Sequence, residues 1–333
     1  MRIGRHDVWN EYDAVASVTG GHTEAMKLAQ ASSMANHMTQ CWNIAKESLM
    51  AFGCGAWQAE QLMSNTKDIR LLNGCDELDP TVHALRAYLG RSAHRCRLNL
   101  RPAPGLDAES CIGTGIHVFR ADQLGLTQEQ QEALERELSS SAAALSKNET
   151  NMAYGRRWFE NCTELLNKIT PFLSEVTGYS EGTITEELSR TAFAQRVING
   201  PEDNDVQKVL HQDTWHDAWK LWYFPRAVRD GEGPFRFSQY SHGLSSERMR
   251  LTTAFATKGT KWEEWRSYGH DEGSWRVDDV ELLRMGCGAN DVTCAAGTLV
   301  IANVFGYHAR GEATETKERI ALHASIRLNP WKN

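Results

Sequence analysis

The chain has 333 residues, of which 41% are hydrophobic and 24% charged, a composition typical of a globular protein with a sizeable core. Its formal net charge is −7 and basic residues are scattered, which argues against nucleic acid or an anionic membrane as the main partner. The opening sequence, MRIGRHDVWNEYDAV, lacks the apolar stretch of a signal peptide, and the cysteines form no CxxC pair. We therefore expect a cytoplasmic protein with reduced thiols.

The first third of the sequence is helical in pattern. Apolar residues at helical spacing occupy residues 25–65 and predict one or two helices, and another helix is predicted over 80–89. The sequence RPAPG at 101–105 is typical of a turn or short linker, and we place the domain boundary there. Residues 1–105 are thus expected to form a helical extension that packs on the core or forms a subunit contact, as in a homodimer.

The pattern becomes mixed after residue 106. GIHVF at 115–119 predicts a strand. Residues 126–140 predict a helix whose start is capped by Thr127 together with Gln130. A second helix is predicted over 160–178, ending near Gly178.

Short strand-like segments dominate from about residue 192 onward. Turn sequences such as INGP, RDGEGP and MGCGAN separate six of them: AFAQRVI, KVLHQD, WKLWYF, PFRFSQY, GTLVIANVF and RIALHASIR. Many short strands between Gly- and Pro-containing turns are typical of a sandwich or jelly roll. Residues 106–333 are therefore predicted to form a mainly β domain with flanking helices, a double-stranded β-helix of the jelly-roll, cupin-like kind.

The segment HQDTWHD at 211–217 suggests a metal site, because residues two apart on a strand point to the same side. His211 and Asp213 have this spacing, but about 1.5 such His-x-acid pairs are expected by chance in a chain of this composition. Two other pairs share the spacing but lie in turn-like sequence: His22 with Glu24, and His270 with Glu272. Only the pair at 211 and 213 follows a strand-like run in the β-rich region.

A second histidine and an arginine complete the pattern of a non-heme Fe(II) site, which uses two histidines and one carboxylate. His308 is predicted to end the buried strand GTLVIANVFGYH, 95 residues after Asp213. Arg319 opens the next strand, 11 residues further on, and a guanidinium can bind the distal carboxylate of 2-oxoglutarate in a bidentate manner. Arg310, predicted to lie in the turn, and Arg327, at the far end of the strand, are its rivals.

These elements resemble, in their order, the phytanoyl-CoA dioxygenase-like branch of the Fe(II)/2-oxoglutarate dioxygenases. The resemblance rests on HQD, on the GPF-to-SH segment, on the distal histidine and on the arginine that follows it, and it covers roughly residues 112–333. It implies that His211, Asp213 and His308 bind iron. One departure is Arg310, where the family often has a small or hydroxyl residue.

The resemblance also implies the roles of neighbouring residues. Arg319 would hold the 2-oxoglutarate carboxylate, and Gln212 and Trp222 would contact the same co-substrate, although Trp222 also has the pattern of a core residue on a strand. Substrate contacts are expected from Trp215, His216 and His242. The histidines have an alternative as structural hydrogen-bonding groups.

The implied activity is that of a dioxygenase that uses Fe(II), 2-oxoglutarate and O2. It would hydroxylate a C–H bond of a small polar metabolite or natural-product intermediate, or desaturate or cyclise that molecule, and release succinate and CO2. Two alternatives remain: a cupin-like metal enzyme that does not use 2-oxoglutarate, and a non-catalytic jelly-roll binding protein.

Overall fold

A computed structural model describes residues 34–64, 81–99, 101, 103–143, 152–155, 160–201, 205–257 and 275–331 of the chain. The predicted helical residues 25–33 lie outside these ranges, as do the two other His-x-acid pairs. None of the helices in the described part is long and apolar enough to cross a membrane.

Within the described residues, two antiparallel sheets form the core of the protein. The larger sheet has the strand order β1-β9-β5-β11-β3-β2. Its strands are β1 (Ile116–Phe119), β2 (Met152–Gly155), β3 (Phe193–Asn199), β5 (Trp219–Phe224), β9 (Thr298–Asn303) and β11 (Lys317–Ile326).

The smaller sheet has the order β7-β4-β10-β6-β8 and carries most of the candidate site. Its strands are β4 (His211–Gln212), β6 (Phe235–Ser238), β7 (Trp275–Arg276), β8 (Ala289–Val292) and β10 (His308–Arg310). The chain passes repeatedly from one sheet to the other, as in a jelly roll. The predicted fold class is therefore confirmed.

Helices flank the sheets. Their ranges are α1 (Met34–Ala51), α2 (Ala56–Ser64), α3 (Thr81–Asn99), α4 (Leu106–Thr114), α5 (Gln128–Ala143), α6 (Glu160–Thr177), α7 (Glu181–Thr191), α8 (Ser246–Thr257) and α9 (Asp279–Arg284). The predicted cap of α5 is confirmed, since the Thr127 hydroxyl accepts from the Gln130 amide and the Gln130 side chain accepts from the Thr127 amide. The predicted end of α6 is also confirmed, because Gly178 adopts a left-handed φ of 70°.

Strand alternation sorts the side chains of the larger sheet into two layers. On β5, Trp219, Leu221 and Tyr223 face outward into a core that they share with α5, α6 and α7. Trp222 and Phe224 face inward and pack in the apolar cluster between the two sheets. The same alternation directs the odd-numbered residues of β11 inward, so both strands send polar side chains toward the smaller sheet.

A separate apolar cluster joins α1, α2 and α3 to the β domain. Leu85, Leu89 and Ala93 of α3 pack there against Trp215 and Trp331. Helix α3 extends ten residues beyond the predicted end at 89. It is almost entirely buried, which explains why its sequence shows only a weak amphipathic pattern.

Two predicted strands differ in the structure. KVLHQD forms a strand only at His211–Gln212, because Val206–Lys208 forms a 3₁₀ turn in which the Asp205 side chain accepts from the Gln207 amide. The predicted strand ending at His308 breaks after Asn303, whose side chain accepts from the Phe305 amide and stabilises a turn. His308 consequently begins β10 in the opposite sheet rather than ending β9.

Several short elements were not predicted. Helix α4 follows the 101–105 linker directly, and α7, α8 and α9 were also missed, as were strands β2, β7 and β8. These elements are short, so their local sequence pattern indicates them only weakly.

Candidate metal centre

Three residues converge between the two sheets, and they come from the paired strands β4 and β10 and from the residues that follow β4. His211 on β4 lies directly opposite His308 on β10, with ring centroids 4.5 Å apart. Asp213 follows β4, and its carboxylate lies 3.8 Å from Nε2 of His211 and 3.7 Å from Nε2 of His308. One ligand atom from each residue falls within a 4.8 Å cluster, which is a size that a single metal ion can occupy.

Backbone contacts orient both imidazoles. The Nδ1 of His211 lies 2.8 Å from the carbonyl oxygen of Val209, and the Nδ1 of His308 lies 3.1 Å from that of Gly306. A carbonyl can only accept, so each Nδ1 carries the proton and each Nε2 presents a lone pair. Carbonyl groups hold metal-binding histidines in this tautomer in many proteins.

Burial also keeps the two imidazoles neutral. It lowers the pKa of His308 to about 4 and that of His211 well below its usual value, where the neighbouring His308 adds to the effect. For Asp213, burial acts to raise the pKa, but Lys220 and Arg327 outweigh it and hold the pKa well below the usual range. The set thus consists of two neutral nitrogen donors and one carboxylate at neutral pH.

Arg319 lies on the inner face of β11 with few partners. Its Nη1 donates to the carbonyl oxygen of Gly233, and its guanidinium lies 5.6 Å from the ring of Phe224. Burial and then Arg310 lower its pKa to about 9, so it remains charged at neutral pH. Among the described residues, no carboxylate pairs with Arg319, and its buried Nε has no hydrogen-bond partner. The chemistry of this position fits a carboxylate ligand.

Aromatic side chains pack beside the candidate metal ligands in the space between the two sheets. Trp222 packs on Phe235 with ring centroids 4.6 Å apart, and Phe235 lies 6.0 Å from the ring of His308. Trp222 also contacts His323 at 5.5 Å. The predicted residues Arg319 and Trp222 thus share the inter-sheet space with the three candidate ligands.

Gln212 belongs to a different network. It alternates with His211 on β4, and its amide donates to the carbonyl oxygen of Thr214 and accepts from Arg248. Arg248 is fully buried and donates also to the carbonyl oxygens of Ser241 and Phe305. The structure therefore does not bring Gln212 to the metal cluster; its contacts brace β4 and the turn before His308.

The three predicted substrate residues are packed inside the protein. Trp215 lies under the guanidinium of Arg86 on α3, at 4.7 Å from its ring centroid. His216 contacts the carbonyl oxygen of Leu328 through Nε2, and His242 contacts that of Ile112. All three side chains are at most 2% exposed, so the structure gives them structural contacts in place of a substrate surface.

Two cations lie beside the candidate metal ligands: Lys220, which was not predicted, and Arg327, which was predicted only as a rival of Arg319. Arg327 donates from Nη2 to Oδ2 of Asp213 at 2.7 Å, and Lys220 contacts the same oxygen. The signal was present in the sequence: Lys220 shares the face of Trp222 within the apolar strand WKLWYF, and Arg327 has the same parity as Arg319. A lysine on the inner face of a buried strand requires an anionic partner.

Arg310 has a partner of its own. It lies in β10 rather than in the predicted turn, and its Nη1 pairs with Oδ2 of Asp205 at the start of the 3₁₀ turn. Arg310 is thus accommodated by a partly buried ion pair.

Comparisons with known proteins give fold relatives only. No family model matches this chain, and no curated protein sequence matches it. The solved structure of SnoN, a non-heme alpha ketoglutarate dependent epimerase from nogalamycin biosynthesis, aligns over 66% of this chain and 80% of its own at 12% identity and a TM-score of 0.40.

Two further solved structures align over the same share of this chain. SnoK, a non-heme alpha ketoglutarate dependent carbocyclase from nogalamycin biosynthesis, is 12% identical over 81% of its length, with a TM-score of 0.38. HygX from Streptomyces hygroscopicus, solved with nickel, 2-oxoglutarate and hygromycin B, is 11% identical over 85% of its length, with a TM-score of 0.33. Values this low assign no reaction to this chain.

Proposed function

We propose that this protein is an Fe(II)- and 2-oxoglutarate-dependent oxygenase that acts on a C–H bond of a small molecule. The observation that carries the proposal is the converging cluster of His211, Asp213 and His308, with both Nε2 atoms directed to a common point by backbone carbonyls. Two histidines and one carboxylate leave coordination positions for a co-substrate and O2. A runner-up, a metal enzyme that does not use 2-oxoglutarate, would need the same three ligands.

Arg319 supports the use of 2-oxoglutarate. Its Nε is buried without a hydrogen-bond partner among the described residues, and the rings of Trp222 and Phe235 pack in the same inter-sheet space, with Phe235 6.0 Å from the ring of His308. In the proposed complex, Arg319 binds the distal carboxylate while Trp222 and Phe235 exclude water from the co-substrate. Fe(II) with 2-oxoglutarate and O2 would supply the oxidant, with release of succinate and CO2.

The protein's own residues would hold the metal and orient the substrate. His211, Asp213 and His308 would keep the metal fixed, and the rigid jelly roll would aim one C–H bond of the substrate at it. Hydroxylation, desaturation and ring closure share this requirement. We propose hydroxylation as the reaction, in a cytoplasmic protein.

The helical extension, residues 1–105, is proposed to pack on the oxygenase domain of residues 106–333. The described helices α1 to α3 support this, because their apolar cluster includes Trp215 and Trp331 of the second part. A homodimer through these helices stays a prediction; the exposed side chain of Trp57 on α2, 58% accessible, is the surface feature that favours it.

The proposal is tested by anaerobic spectroscopy. Fe(II) is added to metal-free protein, followed by 2-oxoglutarate, and the weak visible charge-transfer band of the chelate is recorded. We expect a band with the unchanged protein, none with His211→Ala, and a much higher 2-oxoglutarate requirement with Arg319→Ala. Arg226→Ala serves as the matched control, because Arg226 is an exposed arginine paired with Glu135 at the surface.

The outcomes separate the alternatives. Iron binding with no band at any 2-oxoglutarate concentration would favour a metal enzyme without this co-substrate. An absence of iron binding would leave a non-catalytic jelly-roll binding protein.

A further inference from the structure

We propose that Lys220 and Arg327 form an anion subsite beside the metal centre, which binds a carboxylate or phosphate group of the substrate. This inference rests on the proposed function, and it assigns the substrate class that the function leaves open. Four features of the described residues carry it. Lys220 and Arg327 both contact the candidate ligand Asp213, and both bring positive charge to the site. Arg327 also has hydrogen-bond donors to offer, and it lies far from Arg319.

Both cations reach the metal ligand from the larger sheet. Lys220 on β5 lies opposite Ser325 of β11, and Arg327 directly follows that strand. Their side chains meet at one atom, Oδ2 of Asp213, with Arg327 Nη2 at 2.7 Å. The subsite therefore borders the metal ligands themselves.

Arg327 keeps most of its donors available. A guanidinium has five N–H donors in a planar fork, and in the described part of the chain Asp213 is the carboxylate within reach of it. Its side chain is 28% exposed, whereas that of Asp213 is 10% exposed. Arg327 can thus hold Asp213 with one donor and offer others to a ligand that arrives from solvent.

The charges in the site favour an anion. In the proposed complex, the positive charges of Fe(II) and Arg319 balance the negative charges of Asp213 and of the doubly charged 2-oxoglutarate. Lys220 and Arg327 bring two further positive charges to the same space. Partly buried charges are stabilised by a partner of opposite sign, and an anionic group on the substrate supplies one.

The subsite is remote from the proposed co-substrate carboxylate. Arg319 and Arg327 are eight residues apart along an extended segment, so their Cα atoms are separated by roughly 27 Å at the usual rise of a strand. His323 lies between them on the same face, buried, with an Nδ1 that has no partner among the described residues. The co-substrate carboxylate at Arg319 and an anion at Arg327 would therefore not compete for the same position.

The test uses paramagnetic relaxation. Full-length protein is loaded with Mn(II) and saturating 2-oxoglutarate, and the ³¹P relaxation of inorganic phosphate and the ¹H relaxation of formate are measured as probes of the two anion types. Mn(II) affinity and 2-oxoglutarate affinity are determined first for every variant. The variants are Arg327→Gln and Lys220→Gln, with the exposed Arg226→Gln as control.

We expect at least one probe to show enhanced, saturable relaxation in the unchanged protein and in Arg226→Gln. Arg327→Gln should weaken that binding about tenfold or more while it still binds Mn(II), because a charge-assisted hydrogen bond contributes on this scale. Enhanced relaxation of phosphate alone would indicate that the subsite binds a phosphate group of the substrate. Enhanced relaxation of formate alone would indicate a carboxylate.

Two results would overturn the inference. One is Mn(II) and 2-oxoglutarate binding with no enhancement for either probe, which leaves the proposed function intact. The other is equal enhancement in Arg327→Gln, which would mean that the anions bind the metal directly. A protein that binds no Mn(II) would overturn the proposed function and the inference together.

Discussion

At the scale of single residues, Asp213 has the densest surroundings in the described site. It faces two imidazoles and receives contacts from Lys220 and Arg327 on one oxygen. Its negative charge therefore balances the two cations and would also serve a metal ion bound in the proposed site.

Replacement of Asp213 by asparagine keeps its shape and removes its charge. We expect Asp213→Asn to lower Mn(II) or Fe(II) affinity by about 100-fold or more, since loss of groups that only support ligands already costs 10- to 100-fold. Titration monitored by the EPR signal of free Mn(II) measures this. Metal affinity within threefold of the unchanged protein would contradict the assigned ligand set.

Arg319 is expected to act through its fork geometry as well as its charge. Arg319→Lys should weaken 2-oxoglutarate binding about tenfold, and Arg319→Gln more strongly, because each loses a charge-assisted, bidentate contact. Metal affinity should be unchanged in both. Fluorescence titration with 2-oxoglutarate provides the measurement, and unaltered binding in Arg319→Gln would refute the role.

The residue scale also shows the limits of sequence reasoning. Patterns of spacing selected His211, Asp213, His308 and Arg319, because a metal site requires particular residue types. These patterns do not distinguish a side chain that contacts the site from one that is buried next to it. Trp215 and His216, adjacent to the HQD motif, turn their side chains to α3 and to the C-terminal segment.

At the scale of elements, helix α3 is packed unusually close to the loop that follows the metal ligands. A Cβ atom added at Gly90 would lie 2.6 Å from the ring of Trp215 and 3.3 Å from Cβ of His216. Gly90 therefore permits the contact between α3 and residues 215–216.

Gly90→Ala is expected to destabilise the protein by about 1–3 kcal/mol, the usual cost of overpacking a core. In a solvent-exposed helix, glycine to alanine raises the free energy of unfolding by about 1 kcal/mol, so a decrease at Gly90 would indicate overpacking. Gly113→Ala in α4 is the matched control, since nothing lies within 4 Å of its added Cβ. Urea denaturation of the two variants measures the difference, and stabilisation by Gly90→Ala would contradict the close packing.

Strand β11 shows how much of an element a pattern can determine. Its alternation predicted a strand, and the parity of Arg319 and Arg327 followed from it. The sequence could not show that β11 pairs with β3 and β5 and that its odd-numbered residues face the smaller sheet, because that depends on partners more than ninety residues away.

At the scale of the whole molecule, a buried ion pair connects the helical extension to the β domain. Arg91 of α3 donates to Oδ1 of Asp217 at 2.8 Å, and Asn303 at the end of β9 contacts the same oxygen. Burial acts to raise the pKa of Asp217, but Arg91, His94 and His242 outweigh it and hold the pKa below the usual range.

This carboxylate links stability to pH. Because the folded-state pKa is depressed, Asp217 contributes stability at pH values above its unfolded pKa of about 4, and the contribution falls as the pH drops below that value. We expect Asp217→Asn to lower the free energy of unfolding by about 3 kcal/mol at pH 7, since it removes the charge of the carboxylate that pairs with the buried guanidinium of Arg91.

The difference in free energy of unfolding between the unchanged protein and Asp217→Asn should shrink at pH 3, where Asp217 is mostly protonated in the unfolded state. Denaturant titrations of both proteins at the two pH values measure this. A difference that is independent of pH would show that Asp217 acts through shape and not through charge.

By itself, the sequence determined the fold class and selected the residue types of a candidate metal site. Strands and turns are specified by local pattern, and a histidine–carboxylate set of this order has few other uses. Only the tertiary structure decided which side chains face one another. It broke the predicted strand before His308, moved Gln212 to the Arg248 network, and brought Lys220 and Arg327 to Asp213. Such contacts depend on sheet pairing and on the crossing between two sheets, which are properties of distant segments and not of any local stretch.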